Sequence, residues 1–117
     1  MTNLVAAIVL IASWERFDDA GHLAANGKPF NPSAMTCATR RWPLGAILRV
    51  EDVHNHSAVT VRVTDRTARK YANRIDLSPA AFEKLNGLAL GLCKVTVTPL
   101  TTNSQSRPAA VRTLLAR

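Results

Sequence analysis

The chain is broken so often by Pro, Gly and Asn that few of its segments are long enough for a helix, and the pieces between the breaks alternate apolar and polar residues. Val59, Val61 and Val63 alternate with Thr60, Arg62 and Thr64, so one side of this segment faces a core and the other faces water. Asn55-His56 stands where a hairpin turn belongs. Ala46–Val53 reads as a second apolar strand, Lys94–Thr98 as a closing strand with Val95 and Val97 inward, and Val5–Glu15 as the first strand. From Asp18 to Pro32 the run holds Gly21, Asn26, Gly27, Pro29, Asn31 and Pro32, which predicts a long loop with tight turns. Helix signals meet at one place. Ser78-Pro79 before AAFEKL offers an N-cap hydroxyl and a proline at the first helical position, and Asn86-Gly87 supplies the stop.

The 117 residues suffice for one core, which argues against a separate cofactor domain, and no cofactor is expected. A formal charge of +7 attracts anionic polymers such as nucleic acid, acidic lipid, teichoic acid and peptidoglycan. No zinc-finger spacing, RNA-binding aromatic signature or continuous basic helix is present, so specific nucleic-acid reading is not expected. Leu4–Ala12 is uncharged but too short to span a bilayer, and no Lys or Arg precedes it. It reads as part of a buried strand rather than a leader. Residues 101–117 are polar and then carry Val111, Leu114 and Leu115 at helical spacing, a tail that is either frayed or an arm docking on a neighbouring subunit.

Cys37 and Cys93 leave two readings open: a disulfide in an oxidising compartment, or two small buried apolar side chains in a reducing one. His54 and His56 would share a strand face but have no third ligand in view, and His22 lies in the glycine loop, so no metal site is assigned.

Several short strands, one helix and a long glycine-containing loop suggest a small closed barrel. Ala12-Ser13-Trp14, Gly21, Gly27, Phe30, Pro32, Arg40, Pro43, Gly45, Val61-Arg62-Val63, Asp65-Arg66 and Ile75-Asp76-Leu77-Ser78 follow in an order and spacing that resembles the rare lipoprotein A family, whose module also underlies expansins. The resemblance covers Ala12 to Leu100. It implies a mainly β fold, a six-stranded double-psi β-barrel with one short helix over residues 1–100. It also implies an activity similar to that of lytic transglycosylases, which cut peptidoglycan glycan strands without water and leave an anhydro sugar end. Such chemistry needs a group that protonates the glycosidic oxygen and a base for the attacking hydroxyl of the same sugar.

The family pattern places a Glu, a His and an Asp at three positions, which here are Lys28, Thr39 and Asp65. A lysine is a poor general acid and a threonine cannot shuttle protons near neutrality. Asp76 follows Asp65 at the interval seen between the two aspartates of expansin-like barrels, so the two are the candidate catalytic carboxylates. Each has a structural alternative: Asp65 as an ion pair with Arg66 or Arg74 or a turn carboxylate, Asp76 as a cap of the helix after Leu77. Lys28, Thr39, Arg40, Trp42, Arg66 and Arg74 are the candidate substrate-binding residues. The basic cluster would meet carboxylates of peptidoglycan stems, and Trp42 would stack on a sugar or fill the barrel.

Three functions follow as expectations. The first is a peptidoglycan-directed barrel of the cell envelope or extracellular space that binds glycan strands, with or without cleavage, and spans no membrane. The second is a non-catalytic structural barrel of a virion or phage tail, self-associating through its termini. The third is nonspecific binding of anionic polymers.

Overall fold

A computed structural model describes residues 7–100. The first six residues and the tail 101–117 lie outside this range, and with them the expected docking arm. Six strands run in chain order: β1 (Ile8–Trp14), β2 (Thr36–Ala38), β3 (Ile47–Asp52), β4 (Ala58–Asp65), β5 (Arg74–Leu77) and β6 (Cys93–Pro99). They close into a barrel in the order β1-β5-β2-β4-β3-β6. The pairs β1–β5 and β2–β4 are parallel and the remaining neighbours antiparallel, so crossovers rather than hairpins connect most of the barrel. This is the mainly β, six-stranded double-psi barrel that the resemblance implied.

Alternation sets which side chains fill it. Leu10 and Ala12 of β1, Leu48 and Val50 of β3, Val59, Val61 and Val63 of β4, Ile75 and Leu77 of β5, and Val95 and Val97 of β6 are buried together. The one α-helix among the described residues, α1 (Pro79–Asn86), starts as its sequence predicts, with the Ser78 hydroxyl accepting from the Ala81 N–H at 3.2 Å. The same hydroxyl donates to the Ala34 carbonyl at 2.5 Å, so the cap also anchors the long loop. Ala81, Phe82 and Leu85 turn into the core.

Between β3 and β4 the chain turns through His56, whose φ of 65° lies in the left-handed region. Asp52, fully buried at the end of β3, organises this turn by accepting from the His54 and Asn55 N–H groups at 2.7 and 3.0 Å. It also accepts from the Asn86 side chain at the end of α1, and the Cys93 thiol bonds to it. Burial opposes ionisation of Asp52, but these donors outweigh it and hold its carboxyl below the usual range.

In the structure both cysteines are buried free thiols. Cys37 lies on β2 and Cys93 on β6, strands that are not neighbours in the barrel, and the Cys93 thiol is engaged by Asp52. Burial, followed by the Asp52 charge, pushes Cys93 up to about 11, while burial and then the charges of Glu15 and Asp76 raise Cys37.

Candidate active site

Register brings the two candidate aspartates together. Asp76 of β5 is paired with Ser13 of β1 on one side and Ala38 of β2 on the other, and Ala38 is paired with Asp65 of β4 across a register shift. One row across four strands therefore reads Ser13, Asp76, Ala38, Asp65, a neighbourhood that nothing in the linear spacing of these residues dictates.

Asp76 accepts a hydrogen bond from the Ser13 hydroxyl and is not the cap of α1, a role taken by Ser78. Asp65 accepts from the Ala25 N–H at 3.0 Å and from the Arg66 N–H at 2.8 Å, which ties the long loop to the end of β4. The ion pair expected with Arg66 or Arg74 is not what these guanidinium groups make. Arg66 donates to the carbonyls of Thr39 and Trp42, at 2.8 Å for Thr39, and Arg74 sits over the Tyr71 ring at 4.8 Å. Arg40 donates to the Thr67 carbonyl at 2.6 Å and Arg41 to Asn73 at 2.7 Å. Arg40, Arg41 and Arg66 thus brace loops through carbonyl and amide oxygens.

A third carboxyl belongs to this neighbourhood and escaped the sequence reading. Glu15 follows β1 directly, and its N–H donates to the Leu77 carbonyl at 2.8 Å, so the ladder holds it two residues beyond Ser13, the partner of Asp76. Its Oε1 is buried with no hydrogen-bond partner. Burial first, then the negative charges of Asp65, Asp76 and Asp19, push Glu15 from 4.5 up to about 8. Among the described residues the ion pairs are Arg16–Asp18, Arg49–Glu51 and His56–Glu51, and none offers a cation to Glu15, Asp65 or Asp76. The only signal in the sequence was a glutamate at the end of an otherwise apolar strand.

The remaining candidates divide. Lys28 is exposed in the Asn26-Gly27 turn, where its N–H donates to Asn26 at 3.0 Å. With Asn26, Phe30, Thr36 and Thr64 it lines a recess of about 160 Å³, and Thr36 Oγ1 is buried there without a partner. Thr39 is fully buried: its N–H donates to the Asp65 carbonyl, and its hydroxyl accepts from the Arg41 N–H. Trp42 is half-buried against the core cluster, with its carbonyl held by Arg66. Among the described residues no group of His, Cys, Asp and Glu could hold a metal ion, and no helix is long and apolar enough to cross a membrane.

The sequence profile of the family described as lytic transglycolase matches residues 8–97. The chain is 36% identical over 85 residues to the endolytic peptidoglycan transglycosylase RlpA of Campylobacter jejuni, covering 73% of this chain and 31% of that protein. The Vibrio cholerae protein of the same name is 31% identical over 97 residues, covering 83% and 37%. The chain thus spans little more than a third, or less, of the length of these relatives. Among solved structures, a Clavibacter michiganensis expansin in complex with cellohexaose superposes with a TM-score of 0.64 at 17% identity, covering 81% of this chain and 50% of that one. A Streptomyces papain inhibitor superposes with a TM-score of 0.66 at 24% identity, covering 80% and 93%. The shared barrel is thus found under quite different names, and it is the match along the sequence from β1 to β6 that shows the chain to belong to the lytic transglycolase family, as an RlpA-like double-psi β-barrel.

Proposed function

We propose that this chain acts on peptidoglycan in the cell envelope, binding glycan strands across the end of the barrel that carries Asp65 and Asp76 and cutting them as a lytic transglycosylase. The observation that carries the reading is the gathering of Glu15, at the end of β1, with Asp65 of β4 and Asp76 of β5, with no ion pair to any of them among the described residues. Carboxylates held close together without counter-charges are costly to a fold and are the usual equipment for glycosidic bond chemistry. The names of the relatives agree in both substrate and reaction.

In this reading the aspartates stabilise positive charge that develops on the sugar as the glycosidic bond opens. Lys28, at the rim of the recess, meets a carboxylate of the glycan or its peptide stem, and the unpartnered Thr36 hydroxyl faces the same recess. Arg40, Arg66 and Arg74 hold the walls in place rather than the substrate. The virion alternative invokes self-association through the termini, which lie outside the described residues, and gains no support from the relatives named above.

The test is to incubate the chain with purified sacculi and search the soluble fraction by mass spectrometry for anhydro-ended muropeptides. The wild type is expected to release them, and Asp76→Ala and Asp65→Ala to release at least about a hundredfold less, the range expected for loss of a charge-stabilising group. Binding to sacculi with no anhydro product at high concentration and long times would refute cleavage. Binding that falls steeply with salt and ignores both substitutions would instead mark a nonspecific polycation.

A further inference from the structure

We infer that Glu15 is the catalytic acid of this barrel, standing at the end of β1 in place of the Glu and His that positions 28 and 39 do not supply. The inference rests on the transglycosylase reading above and names the group that holds the proton in it.

Four observations place Glu15 in that role. The period of two along an extended chain puts Ser13 and Glu15 on one face, and Ser13 is bonded to Asp76, so Glu15 shares a surface with a candidate catalytic aspartate. Its backbone is fixed by the Leu77 carbonyl, which gives the side chain a rigid base. Its Oε1 is buried without a partner, although the residue as a whole is only partly covered. A buried polar atom left unpaired is costly to the fold, so an atom kept in that state calls for an explanation such as a ligand that completes it. Finally, the arginines that flank the three carboxyls in sequence are committed elsewhere: Arg16 is bidentate to Asp18 at 2.9 Å, and Arg66 and Arg74 are turned onto carbonyls and a ring.

The groups that face Glu15 are Asp65 from the end of β4, Asp76 from β5, Asp19 from the turn after β1, and the Cys37 thiol from β2. Three of the four are carboxylates. Burial and their combined charge keep the Glu15 proton in place up to about pH 8, and this is what a general acid requires near neutrality. Neither Lys28, exposed in a turn, nor Thr39, enclosed with its hydroxyl already engaged, has such a position.

The proton inventory closes on Glu15 alone. Its carboxyl donates to the glycosidic oxygen as the bond from that oxygen to the anomeric carbon breaks, and the leaving sugar departs with a hydroxyl. A hydroxyl oxygen of the retained sugar attacks the anomeric carbon, forming the anhydro ring, and its proton passes to the Glu15 carboxylate. The residue ends as it began, and no water is consumed. Asp65 and Asp76 remain as the negative charges facing the developing cation.

The experiment uses the full chain and purified sacculi, with the initial rate of anhydro-muropeptide release followed from pH 5 to 10. Glu15→Gln keeps the shape and removes the transferable proton, and it is expected to fold, as read by circular dichroism, while losing about 10²–10⁴ in rate. The wild-type rate should fall above about pH 8, and Asp19→Asn, which removes one facing charge outside the reacting groups, should move that fall to lower pH while leaving the acid-side rate intact. Carboxyl-carbon NMR of Glu15 should show its midpoint moving with that fall. If the wild type releases anhydro products and Glu15→Gln releases them as fast, the acid lies elsewhere and only this inference is overturned. Products from the wild type with a Glu15 midpoint in the ordinary glutamate range overturn it equally. If the wild type releases none, the transglycosylase reading falls, and the assignment of an acid falls with it.

Discussion

Replacing Glu15 by Gln should make the fold more stable, and by an amount that grows with pH. In the unfolded chain Glu15 loses its proton near 4.5, whereas in the barrel burial and the surrounding aspartates hold the proton to about 8. Between these values the folded state binds the extra proton, so stability falls as pH rises through the interval and is level beyond it. Each pH unit in that window costs about 1.4 kcal/mol, and the whole interval amounts to about 5 kcal/mol, a large part of the 5–15 kcal/mol that holds a typical domain together. Glutamine carries no such linkage. Urea unfolding of both proteins at pH 4, 7 and 9 should therefore show near-equal stability at pH 4 and a gain for Glu15→Gln of about 3 kcal/mol at pH 7 and about 5 kcal/mol at pH 9. Asp52, whose carboxyl is held below its ordinary value, contributes stability that is lost only as pH falls below that value, so it does not distort the window. A difference between the two proteins that stays under about 1 kcal/mol from pH 4 to 9 would show that Glu15 ionises as a hydrated side chain does, and the argument from burial and like charge would be wrong.

Asp52→Ala leaves the His54 and Asn55 N–H groups and the Asn86 amide without their acceptor, and is expected to cost about 3–5 kcal/mol in urea unfolding, with a loss under 1 kcal/mol refuting the network. Phe82→Ala, which empties a fully buried ring site, should cost about 3–5 kcal/mol by the same measurement. Ser78→Ala removes a helix cap and the anchor of the long loop at once, and its expected cost is about 1–2 kcal/mol. Both thiols should resist iodoacetamide in the folded chain and react in denaturant without reductant; an intact mass showing a bridged pair would contradict the strand positions of Cys37 and Cys93.

The legible part of the fold is the part with local causes. The helix over Pro79–Asn86 was readable because Ser78, Pro79 and Gly87 each act within one turn, and β4 and β6 because valines at every second position can be buried together only by an extended chain. The first strand, read from the sequence as running to Glu15, ends at Trp14, the last residue paired with β5. Strands β2 and β5, at three and four residues, are too short to show any period, and they exist only because neighbours on both sides supply their hydrogen bonds.

By itself, then, the sequence determined that the chain forms one small barrel of short strands with a single capped helix, and which valines, leucines and prolines do that work, because these choices are made between residues close in the chain. Its motifs also carried Asp65 and Asp76 as candidates. Tertiary structure decided everything that depends on which strands become neighbours. It placed those aspartates on either side of Ala38 and set Glu15 beside them. It also sent Arg66 and Arg74 to carbonyls and an aromatic ring, and separated Cys37 from Cys93. A carboxyl's readiness to keep a proton depends on burial and on charges brought from distant strands, so Glu15 acquires its character only once the barrel has closed.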